Sequence, residues 1–103
     1  MATIHNLGEI NSVFNQFVAE LRSAEIQTDR MRFRRNLERI GEIFAYEISK
    51  TLEYQSVEVV TPLGVVQMMQ VVEQPVLATI LRAGLPLHQG LLNYFDKADN
   101  AFI

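Results

Sequence analysis

The 103 residues carry a formal net charge of −3, with 49% hydrophobic and 20% charged side chains. That composition supports one small folded domain rather than a disordered chain, and its mild acidity supplies no general drive toward nucleic acid or an anionic membrane. Cysteine is absent, which excludes disulfides, thiol catalysis and cysteine-ligated metals.

The N-terminal MATIHNLGEI has neither a basic leader nor an apolar core of the secretory kind, and no apolar run approaches the ~20 residues that span a bilayer. The expectation is a soluble cytoplasmic protein. Between Glu9 and Ala24, the residues Ile10, Val13, Phe14, Phe17, Val18 and Leu21 fall on one face of an α-helix, with Asn11 or Ser12 as its cap. A second helix is expected from Thr28-Asp29 to about Leu52, with Met31, Phe33, Leu37, Ile40, Phe44 and Ile48 as its apolar stripe. Gly41 interrupts that stripe, as a glycine does where another backbone comes close. Arg30, Arg32, Arg34, Arg35 and Arg39 crowd the start of this helix, where like charges oppose its dipole. They form either a solvated face supported by Glu38 and Glu42 or a patch facing phosphate or a second subunit.

Beyond Tyr54 the apolar period shortens. Ser56–Val60 and Val65–Val72 flank Thr61-Pro62-Leu63-Gly64, the pattern of a β-hairpin. Its Met68-Met69 pair suits core or dimer contact, and Gln67 and Gln70 are expected on its polar side. Val76–Leu81 is a continuous apolar run, the signature of a strand buried on both faces. A helix is expected over Leu87–Phe95, and Asn100–Ile103 opens a further strand. Strand, helix and strand make the start of a βαβ unit whose two strands run parallel. Because the chain stops inside that second strand, the expectation is an N-terminal piece of a longer protein: a helical region over 1–54, a hairpin over 55–74 and the start of a βαβ core over 75–103.

Ligands of open α/β sheets bind where strands end and helices begin. Arg82-Ala83-Gly84-Leu85 stands there. Gly84 would permit a positive φ and close backbone approach, Pro86 suits a first helical turn, and Arg82 offers a planar fork to phosphate oxygens. An oxyanion cradle and an ordinary connection with a surface arginine are both compatible with these residues, since neither a GxGxxG run nor a P-loop lysine is present. His5 and His88 are the only histidines and have no metal-ligand spacing. His88 is expected on the helix surface, and Glu47, near the apolar stripe, could pair with Arg82 or with an arginine of a second chain.

"ILRAGLPLHQGLL" (Ile80–Leu92) resembles the first diphosphate-binding loop of the uracil phosphoribosyltransferases, members of the type I phosphoribosyltransferase family. "RFRRNLERIGEIFAYEISKTL" (Arg32–Leu52), "VTPLG" (Val60–Gly64) and "DKADNAFI" (Asp96–Ile103) are similar to that family's long helix, hairpin turn and next strand entry, in the same order. The resemblance runs from about Thr28 to the C-terminus. Met1–Ala24 departs from it, with His5-Asn6-Leu7-Gly8 where the family often has His-Pro-Leu.

The resemblance implies the N-terminal part of a phosphoribosyltransferase-type parallel-sheet fold. The implied reaction moves phosphoribosyl from 5-phospho-α-D-ribose 1-diphosphate (PRPP) to uracil, giving UMP and diphosphate. Arg82 would contact PRPP, and main-chain groups of Ala83, Gly84 and Leu85 would face the diphosphate. Mg²⁺ would arrive with PRPP, and the hairpin would serve as a dimerisation arm. The family's long PRPP motif and uracil-reading segment do not occur in these residues, so the segment alone is not expected to catalyse. Two alternatives are a catalytically silent regulatory module of the same fold that binds nucleotide or RNA, for which the arginine cluster is the hint, and a free-standing interaction domain, against which the broken βαβ unit argues.

Overall fold

In the computed structural model, which describes residues 2–103, each of the first two long helices starts on a side chain that accepts from its first turn. The Ser12 hydroxyl accepts from the Phe14 N–H at 3.2 Å and opens α1 (Val13–Arg22). The Asp29 carboxylate accepts from the Arg32 N–H at 3.0 Å and opens α2 (Arg30–Ser49). Such caps satisfy amides that the helix cannot pair internally. Both helices are shorter than their expected spans. Leu7–Glu9 forms a separate 3₁₀ turn capped by Asn6, and at the far end the Ser49 and Thr51 hydroxyls donate back to the Tyr46 and Ile48 carbonyls as the chain leaves α2.

Helix α1 packs on α2, with the Phe14 and Phe44 rings 5.8 Å apart. This contact absorbs part of the arginine cluster. Arg32 pairs with Glu20 at 3.0 Å, and the Arg39 guanidinium lies 5.4 Å from the Phe17 ring centroid while donating to the Asn36 Oδ1 at 3.0 Å. Arg35 pairs with Glu38 on its own helix at 3.0 Å. Arg30 and Arg34 have no carboxylate partner among the described residues.

The chain continues as β1 (Tyr54–Thr61) and β2 (Gly64–Val71), antiparallel with Thr61 opposite Gly64, so Pro62-Leu63 is a two-residue turn. Next come β3 (Val76–Thr79), α3 (Leu85–Leu92) and β4 (Asp99–Phe102), and β3 pairs with β4 in parallel, Leu77 opposite Asn100 and Thr79 opposite Phe102. The result is an α/β chain. Helix α3 starts two residues before the expected Leu87, because Pro86 fits its first turn. It ends at Leu92, and Phe95 turns into the core instead of extending the helix.

Helix α2 crosses α3 at two glycines. A Cβ on Gly90 would lie 2.9 Å from both the Gly41 Cα and the Glu42 amide nitrogen and would run into the Glu38 carbonyl. One on Gly41 would lie 3.1 Å from the Gly90 Cα and meet the Leu87 carbonyl. The interruption at Gly41 is therefore a backbone-to-backbone contact, as its position in the stripe anticipated. Polar groups close the rim: Asn93 donates to Glu38 and Glu42 at 3.2 and 3.0 Å and accepts from Gln89 at 2.8 Å. Beneath the crossing, Ala45, Leu77, Phe95 and Ala98 form the core, with Leu52, Leu91 and Leu92 packed against it.

Two expectations require correction. The run over Val76–Leu81 is not buried on both faces: Leu77 is buried, but Val76 and Ile80 are 66% and 67% exposed. Among the described residues only the α3 side of the β3–β4 pair is covered, since no element packs on the other. Of the two roles expected for Met68 and Met69, core and dimer contact, the core one does not hold: both are exposed, because the hairpin packs against no other element among the described residues. The surface totals 8084 Å² where a self-contained domain of this mass exposes about 5,900 Å². The radius of gyration is 16.8 Å against about 13 Å for a compact chain of this length. No helix among the described residues is long and apolar enough to cross a membrane.

Candidate functional site

Between the end of β3 and the start of α3 the chain makes one tight turn, Ile80–Gly84. The turn is closed by the Gly84 N–H donating to the Ile80 carbonyl at 3.0 Å and the Leu85 N–H donating to the Arg82 carbonyl at 3.1 Å. The His88 N–H donates to the Gly84 carbonyl at 2.9 Å and ties the turn to α3. On the strand side, the Leu81 N–H donates to the Ile103 carbonyl at 2.8 Å and the Ile103 N–H to the Thr79 carbonyl at 3.0 Å. The Leu81–Arg82 peptide is cis. The four residues picked from the sequence are thus held as one unit at the carboxyl end of a parallel strand.

This bonding sorts the main-chain donors of the turn. The Gly84 and Leu85 amides are already engaged, whereas those of Arg82 and Ala83 have no acceptor among the described residues. Arg82 and Ala83 are exposed, and among the described residues no carboxylate lies within ion-pair reach of the Arg82 guanidinium. The α3 N-terminus adds the positive end of its dipole. An anion approaching this end of the strand meets one free guanidinium, two free amides and a helix terminus.

Gly84 is needed for a reason other than the expected one. Its φ is −77°, in the ordinary helical region. A Cβ there would collide with the Thr79 Oγ1 and lie 2.9 Å from the Ile80 carbonyl oxygen. The missing side chain lets the turn fold flat onto the strand it has just left. Beside it, Ala78, Thr79, Ile80, Ala83, Gly84 and Ile103 line an open hollow of about 490 Å³.

Other candidates fall elsewhere. Glu47 pairs with Lys50, both carboxylate oxygens 3.2 Å from Nζ, and not with Arg82. His5 lines a hollow of about 280 Å³ with Leu7, Phe44, Glu47, Ile48 and Thr51, remote in sequence from the turn. The described residues contain no group of three or more His, Asp or Glu placed to hold a metal ion. His88 is the largest departure: it is buried at 6% exposure, its ring centroid 5.3 Å from that of Phe102. The spacing that placed Leu91 and Leu92 against the core also places residue 88 on the covered side, and that was the available signal. Asn36, 1% exposed within α2, was not singled out from sequence at all.

The model of the family described as uracil phosphoribosyltransferase matches residues 11–103. A uracil phosphoribosyltransferase from Porphyromonas gingivalis is 55% identical over 103 residues, all of this chain and 47% of that protein. One from Metallosphaera sedula is 35% identical over 94 residues, 88% of this chain and 43% of that protein. The solved structure of the AQ2163 protein from Aquifex aeolicus superposes with a TM-score of 0.65 at 29% identity, over 86% of this chain and 40% of that one. The likeness thus reaches further toward the N-terminus than the Thr28 boundary set by motifs, and the chain spans about half the length of the curated relatives it matches. With a family match over nearly its whole length and a free arginine and amides at the mouth of a parallel strand, the chain belongs to the uracil phosphoribosyltransferase family.

Proposed function

We propose that the chain forms the N-terminal part of a cytoplasmic uracil phosphoribosyltransferase of pyrimidine salvage, and that Arg82-Ala83-Gly84-Leu85 is its first diphosphate-binding loop within a phosphoribosyltransferase-type parallel sheet. The observation that carries the reading is the donor set: the Arg82 guanidinium and the Arg82 and Ala83 amides are unengaged at the α3 N-terminus, in a chain of this family. In the reaction, uracil N1 bonds to C1 of the ribose as the C1–O bond to diphosphate breaks and the N1 proton is lost. Negative charge gathers on the departing diphosphate, where fixed donors lower the barrier more than they stabilise bound PRPP. Arg82 supplies a charge-assisted fork and Ala83 a main-chain donor. Gly84 and Leu85 take part through the shape of the turn, since their own amides are spent within it.

These donors suit an anion and offer a cation nothing, so Mg²⁺ would be held through the oxygens of PRPP. Its contribution when bound is to neutralise charge on the diphosphate. The exposed hairpin, with Val65, Val66, Met68 and Met69 uncovered, fits an arm that pairs two copies into a homodimer.

Replacement of Arg82 tests the reading in the full-length protein. Arg82→Ala should lower kcat/KM for PRPP by about 10- to 100-fold, the loss of one charge-assisted contact. Arg82→Lys should recover only part, because a lysine cannot present the fork. An Arg82→Ala enzyme with the wild-type kcat/KM for PRPP would remove this loop from the site. Full-length wild type that fails to form UMP from uracil and PRPP would refute the activity itself.

A further inference from the structure

His88 is a polar residue in an apolar place. The residue is buried at 6% exposure, its neighbour across the gap is the Phe102 ring, and its Nε2 is shielded from solvent with no hydrogen-bond partner among the described residues. An apolar residue of similar size would fill the same space without leaving a polar atom unpaired, and an orphaned buried acceptor or donor is destabilising. Packing alone therefore does not account for an imidazole at this position.

The contacts around His88 close a circuit through the loop. Its ring lies against Phe102, Phe102 stands opposite Thr79 across the parallel pair, the Thr79 hydroxyl occupies the space a Gly84 side chain would need, and the Gly84 carbonyl accepts from the main-chain N–H of residue 88. Every link is either a hydrogen bond or a packed contact. Any shift of the Arg82–Gly84 turn relative to α3 or β4 is felt at the imidazole.

We propose that His88 is a positioning residue for the Arg82-Ala83-Gly84 turn, and that its Nε2 gains a hydrogen-bond partner when the turn settles on a bound diphosphate. The inference rests on the PRPP-site reading given above. In this structure the atom is buried and unpaired, which leaves it able to take a partner. Part of the affinity for the anion then comes from beneath the loop rather than from groups that touch the ligand. The imidazole acts through Phe102 and Thr79 and needs no contact with PRPP.

The test uses the full-length protein with PRPP and Mg²⁺ as the probe. Long-range ¹⁵N spectra of the wild-type imidazole should show the His88 Nε2 resonance move on addition of the probe. His88→Leu should weaken PRPP about tenfold with kcat nearly unchanged, the effect of one lost hydrogen bond. His88→Gln, whose amide can stand near Nε2, should restore most of the affinity. Where His88→Leu does not fold, the wild-type spectra and the Gln variant decide. An unmoved resonance, or a Leu variant with wild-type affinity, overturns the role of His88 while leaving the PRPP site standing. Wild type that binds no PRPP overturns both.

Discussion

The glycine crossing of α2 and α3 gives the sharpest test of the packing. Gly90→Ala places a methyl group where the Glu38 carbonyl, the Glu42 amide and the Gly41 Cα already stand, and all three are backbone atoms of a continuous helix that no rotamer change can move aside. The helices must part. Forcing a methylene into a filled core typically costs about 1–3 kcal/mol, and purely backbone neighbours put this site at the upper end. Alanine returns about 1 kcal/mol of helix propensity relative to glycine. The net is a destabilisation of about 2 kcal/mol, which for a protein twice this length lowers Tm by about 4–8 °C. Urea unfolding of the full-length protein, followed by far-UV circular dichroism, reads the change as a lower midpoint at constant slope. Gly41→Ala should cost a similar amount. The double variant should cost less than the sum, because helices parted for one methyl already have room for the other. A Gly90→Ala protein as stable as wild type would refute the reasoning, since propensity would then outweigh the clash.

Further outcomes follow from single contacts. Asp29→Ala should cost about 1 kcal/mol through loss of the α2 cap, and Asp29→Asn should cost little; thermal unfolding separates them. Gly84→Ala should leave the fold largely intact but raise the KM for PRPP more than it lowers Tm, because the new methyl meets Thr79 and displaces the turn; steady-state kinetics beside calorimetry would show the reverse order if the turn had no part in binding. Met68→Lys, on the exposed hairpin, should shift the full-length protein toward monomer in sedimentation velocity without changing monomer stability, and an unchanged oligomer would exclude this face from the contact.

Local physics made much of the chain readable. The caps at Ser12 and Asp29, the two-residue turn at Pro62-Leu63 and the glycine in α2 are each decided by neighbours within a few residues, and each stands where the pattern put it. What could not be read depends on distant segments. Whether Val76–Ile80 is covered on one face or two is set by what packs on the sheet and not by the strand's own composition. The buried state of His88 depends on Phe102, fourteen positions later, swinging over α3. At the candidate site the four residues could be picked out as one strand-to-helix unit, but which of their amides are engaged could not. Which amides are free is a property of the folded turn, where Ile80 and Arg82 carbonyls claim the Gly84 and Leu85 donors. The arginine cluster divides likewise: Arg32 and Arg39 are drawn off by α1, which no periodicity within α2 could reveal.

The two bonds that join the ends of β3 and β4 have a kinetic consequence. The Leu81 amide and the Thr79 carbonyl are both held by Ile103, more than twenty positions along the chain, with α3 in between. Bringing such distant segments together costs about 2.7 kcal/mol in the length-dependent part of loop-closure entropy alone, and nothing is returned until the strands pair. Helix α3, whose hydrogen bonds are local, can therefore form before the turn that precedes it has its final shape. The turn should acquire native order after the helices during refolding. Pulsed hydrogen exchange would then find the Leu81 and Ile103 amides protected later than those in the middle of α2.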